Sequence, residues 1–157
     1  MINPVVQLEP TGCGIASVAT IAGLSYAQAK AIASSLDISA QDARLWSETA
    51  HVHKLLEHLG VKTGRAEHPF RSWEALPDLA ILSVKWHLEK GRPFWHWVVF
   101  VRDDRGARVL DPKKRVCDAT SEPISGALSR SGLFRSLMPD NALQGPRRKR
   151  RAAERER

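Results

Sequence analysis

Only two cysteines, Cys13 and Cys117, occur in the 157 residues, too few for a disulfide framework. A single bridge between them would consume both thiols. No apolar run approaches the ~20 residues that a membrane-spanning helix requires. The N-terminus lacks a basic start followed by an apolar core and a small-residue cleavage site, so no signal peptide is expected and the chain reads as cytoplasmic. There is no internal repeat. A metal set is missing as well. His51, His53 and His58 fall on one helical segment without a Cys or a convergent carboxylate at zinc spacing, and read as a solvated polar face. No metal and no cofactor is therefore expected.

What is present suits one compact globular domain: 43% hydrophobic and 26% charged residues over a length that can bury a core. The net charge of +7 is unevenly spread. Residues 147–157 hold seven Arg or Lys and two Glu, a net +5, which leaves +2 for all the rest. The body is thus no basic nucleic-acid-binding domain. From Gly145 onward the only apolar residues are Ala152 and Ala153, so 141–157 reads as a basic, disordered tail. That tail could meet nucleic acid or an acidic surface, or simply solubilise the chain.

The first 60 residues carry helical periodicity. Ile15, Val18, Ala19 and Ala22 recur at i, i+3, i+4 and i+7, which predicts a helix opening at Cys13 and breaking at Gly23. Ser25 with Gln28 three residues on predicts a capping box for a second helix bearing Ala29, Ile32, Ala33 and Leu36. A polar connection follows at Asp37–Asp42. Ser47 is the expected cap of a third helix, with Val52, Leu55, Leu56 and Leu59, that stops at Gly60. Beyond it the pattern turns to strands. The expectations are a short strand at Val61–Thr63, a helical turn at Ser72–Leu76, a buried strand at Leu79–Trp86 and a loop at His87–Pro93. The clearest strand is Trp95–Val101, joined through a turn at Asp103–Gly106 to Ala107–Leu110, which Asp111-Pro112 ends. A weak helix near Ile124–Ser129 and a strand near Leu133–Met138 complete the reading. Helices first and an antiparallel sheet after is an α+β order.

Cys13 sits where a helix begins, and the unpaired N–H groups there favour a negative charge and hence a reactive thiolate. A plain alternative is a small buried cysteine. The hairpin supplies what a nucleophile needs. With the turn at Asp103–Gly106, Arg102 pairs with Ala107, Val98 faces Asp111, and Asp111 becomes a same-face diagonal neighbour of His96, roughly 7–8 Å away at the backbone. A slip of one residue would turn Asp111 to the other face. Asp103 and Asp104, seven or more residues along the strand, are ~23 Å from His96 and too far to serve. A carboxylate that orients an imidazole, and an imidazole that takes the thiol proton, form a nucleophilic relay. Gln7, with the Cys13 backbone N–H, offers an oxyanion site. Trp95 and Trp97 point to the face opposite His96 and read as core, and Cys117 reads as a passive thiol.

Gln7, six residues before the helix-opening Cys13-Gly14, then His96-Trp97-Val98-Val99 and Asp111-Pro112, in this order, resemble the papain-like cysteine peptidases. Within them the pattern is most similar to the bacterial C39-like peptidases, whose type members remove double-glycine leaders from bacteriocin precursors. The resemblance covers roughly residues 1–140 and leaves out the tail. It implies a papain-like α+β fold, N-terminal helices packed on a C-terminal antiparallel sheet. It further implies a thiol protease whose substrate is a peptide or protein, with Cys13, His96 and Asp111 as triad and Gln7 as oxyanion donor. One departure stands out: the bacteriocin-processing members usually carry Asp directly before the cysteine, where this chain has Gly12. Two other functions fit the same residues. One is amide or isopeptide hydrolysis, or acyl transfer, by the same triad. The other is a binding module on a scaffold that has lost catalysis.

Overall fold

A computed structural model of the chain describes residues 2–63, 68–113, 115–118 and 136–137. The sequence-predicted helix at Ile124–Ser129, the domain limit near 140 and the 141–157 tail lie outside the described residues.

Three helices form where the periodicity places them. The first, α1 (Cys13–Ala22), stops because Gly23 turns left-handed at φ 67 and returns its N–H to Ala19 O. Ser25 and Gln28 make the predicted capping box that starts α2 (Tyr26–Ser35). The third helix, α3 (Ala50–His58), does not begin at Ser47 as expected. Asp42 accepts the Arg44 N–H at 2.9 Å and first winds the chain into a 3-10 turn, Ala43–Trp46, of which Ser47 is the end. The Ser47 hydroxyl accepts instead from Arg92 at 3.4 Å.

The second half is one antiparallel sheet of β1 (Leu79–Glu89), β2 (Arg92–Asp103), β3 (Gly106–Asp111), β4 (Arg115–Asp118) and β5 (Ser136–Leu137), in the order β4-β3-β2-β1-β5. The α+β class is as expected, with differences in the connections. The expected loop at His87–Pro93 is mostly strand. Lys90 and Gly91, at φ 49 and 79, make a two-residue hairpin turn whose twist suits the flanking strands. A Lys-Gly pair lacks the Asn or Asp that usually marks such a turn, hence the missed signal. Val61–Thr63 forms no strand beyond a single bridge at Thr63, and Ser72–Leu76 is a turn rather than a helix. With β5, a strand does form inside the expected span Leu133–Met138.

The sheet is covered on both faces. Ile81, Trp95 and Trp97 pack against Ile15, Val18 and Ala19 of α1 and Val52, Leu55 and Leu56 of α3. Leu82, Val84, Val98 and Phe100 face the other way, onto Leu76, Phe70 and Trp73. Period-two alternation along β2 separates the two sets, as expected for Trp95 and Trp97. No helix among the described residues is long and apolar enough to cross a membrane.

Trp97 ties the two layers together. It is fully buried, meets Trp95 edge-on at 5.7 Å, and donates its indole N–H to Leu45 O at 2.9 Å. Trp97→Ala is expected to lower stability by about 3–5 kcal/mol, because the space cannot collapse and Leu45 O loses its donor. A denaturant midpoint that moves by less than a third of this, at unchanged m-value, would show that the helices do not depend on Trp97.

Candidate active site

Cys13 opens α1, and no side chain caps that helix start. The first N–H groups therefore have no intrahelical partner and lie at the positive end of the helix. Cys13 is a free thiol and fully buried. The following glycine has a packing reason: a Cβ on Gly14 would stand 3.0 Å from Val52 Cγ2 and 3.2 Å from Trp97 Cδ1. The glycine lets the helix start approach β2 and α3 closely enough for Cys13 to reach the sheet.

On the sheet, Arg102 pairs with Ala107 and Val99 with Leu110, the register that the turn at Asp103–Gly106 predicts. The β2–β3 ladder stops at Val99, so His96 is laddered only to Val84 of β1 among the described residues. The residue is buried, and its ring lies with Nε2 2.7 Å from Asp111 Oδ1. The same oxygen accepts the Lys113 N–H at 2.8 Å, which turns the carboxylate toward the ring. An ionised carboxylate only accepts, so Nε2 carries the proton of this bond and Nδ1 is left for the thiol. The Cys13 thiol lies close enough to the imidazole to help raise its pKa.

The electrostatics follow from the geometry. Burial pulls the His96 imidazole down, but the Asp111 carboxylate and the Cys13 thiol outweigh it and hold it above its ordinary 6.5. Burial pushes the Asp111 carboxyl up. His96, the Lys113 N–H and the charge of Lys85 outweigh that and hold it below 3.8. A thiol, an imidazole and a carboxylate thus stand in series, which is the arrangement that can move a proton off sulfur and return it to a leaving group.

Gln7 is placed differently from the expectation. Its amide N–H groups both donate to carbonyls of its own turn, Glu9 O and Pro10 O, each at 2.9 Å. Its backbone N–H donates to Pro112 O at 3.1 Å, which joins this turn to the end of β3. Gln7 here braces the turn and offers no free donor to an oxyanion. The two carbonyl acceptors explain why: a flipped amide would set oxygen against oxygen. Three buried polar atoms without a partner flank the site in the chain: Gln7 Oε1, Ser17 Oγ one turn after Cys13, and Trp95 Nε1 beside His96.

Sequence reasoning missed Glu9, Tyr26 and Lys30. Tyr26 donates to Glu9 Oε2 at 2.5 Å, and Lys30 forms an ion pair with Glu9 Oε1. No spacing rule links a loop residue to a helix 17 and 21 positions on. They explain Gly12, since a Cβ there would collide with the Tyr26 hydroxyl. Among the described residues no group of three His, Cys, Asp or Glu side chains could hold a metal ion.

The directions of the two shifts set a pH dependence. The Asp111 contribution to stability is present above the ordinary 3.8 and is lost as pH falls through its lower folded value. The His96 contribution is present below 6.5 and is lost as pH rises through its higher folded value. The stability gap between wild type and Asp111→Asn should be widest from 3.8 to 6.5 and narrow on both sides. Urea unfolding across pH measures it, and a gap independent of pH would mean the pair is not coupled.

No protein-family model matches this chain, and no curated protein matches it.

Proposed function

We propose that the protein is a cysteine peptidase of papain-like architecture, of the C39-like kind. One observation carries this reading: His96 Nε2 stands 2.7 Å from Asp111 Oδ1, with the Cys13 thiol near enough to the ring to act on its charge. The sulfur attacks a peptide carbonyl carbon, forming an S–C bond while His96 holds the thiol proton. As the C–N bond breaks, His96 gives that proton to the leaving amine. The neutral imidazole then takes a proton from water, whose oxygen attacks the thioester. The acid leaves and the thiol is restored. Asp111 keeps the ring in the required tautomer and stabilises the imidazolium. With Gln7 committed to its turn, the N–H groups at the uncapped start of α1 are the oxyanion donors in this conformation.

Because Cys13 is fully buried, attack requires the covering residues to part. The same burial favours a second reading, a binding module that has lost catalysis. A peptide library followed by mass spectrometry separates the two. Cleavage that disappears in Cys13→Ala and falls about 10²–10⁴-fold in His96→Ala supports the peptidase. Hydrolysis or acyl transfer confined to non-peptide amides would keep the triad and change the substrate. Absence of any turnover, with alkylation of Cys13 equally fast in wild type and His96→Ala, would sink the catalytic reading and leave the binding module.

A further inference from the structure

We propose that Tyr26, Glu9 and Lys30 form a clamp that fixes the turn 9–12 and thereby sets where the Cys13 sulfur stands against the His96 ring. The inference rests on the reading of Cys13 and His96 as a working pair, and it assigns positioning residues to that pair.

Glu9 is bound to its surroundings by both its backbone and its side chain. Its carbonyl accepts the Gly12 N–H at 3.0 Å and the Gln7 amide at 2.9 Å, which closes the turn leading into Cys13. Its carboxylate accepts the Tyr26 hydroxyl at 2.5 Å on one oxygen and pairs with Lys30 on the other. Both partners come from α2, so the turn before the nucleophile is fastened to a second helix. The Glu9 side chain is 14% exposed, which leaves little water to compete for its oxygens. The Lys30 ammonium and then the Tyr26 hydroxyl hold its carboxyl below the ordinary 4.5, so it stays charged through neutrality. Burial and the Glu9 carboxylate hold the Tyr26 phenol above its ordinary range, so it keeps its proton and remains a donor.

Gly12 shows how close this fastening is to the nucleophile. A side chain at the residue immediately before Cys13 would run into the Tyr26 hydroxyl and would also stand 3.1 Å from Tyr26 Cζ and 3.2 Å from Glu9 O. The hydroxyl therefore occupies the place of a residue-12 side chain. The turn has two further ties, Thr11 Oγ1 to Ala40 O and Gln7 N to Pro112 O, but neither reaches the residue next to Cys13. Removing the clamp should leave the fold intact and let the sulfur drift from the ring.

The His96 ring reports that drift without any substrate. The charged groups beside it, Asp111 and, near Asp111, Lys85, are unchanged in every variant, so a moved midpoint reads the Cys13 contact. The test is the His96 imidazole titration by NMR in wild type, Cys13→Ala, Tyr26→Phe, Glu9→Gln and Lys30→Met, with thermal melts of each alongside. Cys13→Ala should lower the midpoint, because the thiol contact helps to raise it. Tyr26→Phe and Glu9→Gln should reproduce part of that drop, and Lys30→Met less. If Cys13→Ala lowers the midpoint and both Tyr26→Phe and Glu9→Gln leave it at the wild-type value, the clamp is wrong and the Cys13–His96 pair stands. Melting points lowered without a moved midpoint count the same way, as a merely structural role. If Cys13→Ala itself moves nothing, the pair and the clamp fall together. Should Tyr26→Phe fail to fold, Glu9→Gln decides.

Discussion

Everything at the candidate site depends on how closely the start of α1 can approach β2. A helix packed on a sheet is held off by the side chains of both. Gly14 removes the side chain that would stand in the way, and the Trp97 indole and Val52 take the space. The contact brings the uncapped helix start, and Cys13 with it, down to the edge of a strand. The Trp97 indole N–H, bound to Leu45 O, fixes the 3-10 turn on the same spot. Helices, turn and sheet are thus joined at the point where the chemistry would have to occur.

The sheet contributes its half by ending early. The β2–β3 ladder runs from Asp103 back to Val99 and goes no further, so β2 carries His96 past the last rung. Asp111 follows directly after that rung, and Lys113 folds back to bind its carboxylate. A ring and a carboxylate can meet there without a neighbouring strand between them. Both groups are mostly buried, with side chains 9% and 13% exposed, so their hydrogen bond is little weakened by water. A buried imidazole would ordinarily lose its proton more easily, and it is the Asp111 and Cys13 contacts that reverse this.

The turn before Cys13 is the least regular part of the site and the most tightly tied. Gln7, expected as an oxyanion donor, spends its amide on two carbonyls of that turn, while Glu9 reaches across to α2. Gly12, where the peptidases of the proposed reading usually carry Asp, has a physical reason in the Tyr26 hydroxyl. The proposed catalysis therefore draws its oxyanion donors from backbone at the helix start rather than from a side chain.

Period-3.6 patterning, the Ser25–Gln28 cap and the alternation along Trp95–Val101 are local signals, and each produced the element it implied. The His96–Asp111 bond was legible for the same reason, since a hairpin's register follows from its turn and both residues sit within 15 positions of each other. What lies on unrelated elements was not legible. The Asp42 cap displaced the start of α3, the Lys90-Gly91 turn extended β1 and β2, and the two carbonyls captured Gln7. The contacts of Tyr26 and Lys30 with Glu9, and of Cys13 with His96, join segments that meet only when α1 and α2 pack on each other and α1 on the sheet. By itself the sequence determined the helices, the hairpin and its acid–base pair, because these follow from neighbours along the chain. Tertiary structure alone decided the burial of the thiol and the surroundings of its turn, because those depend on which surfaces the packed layers bring together.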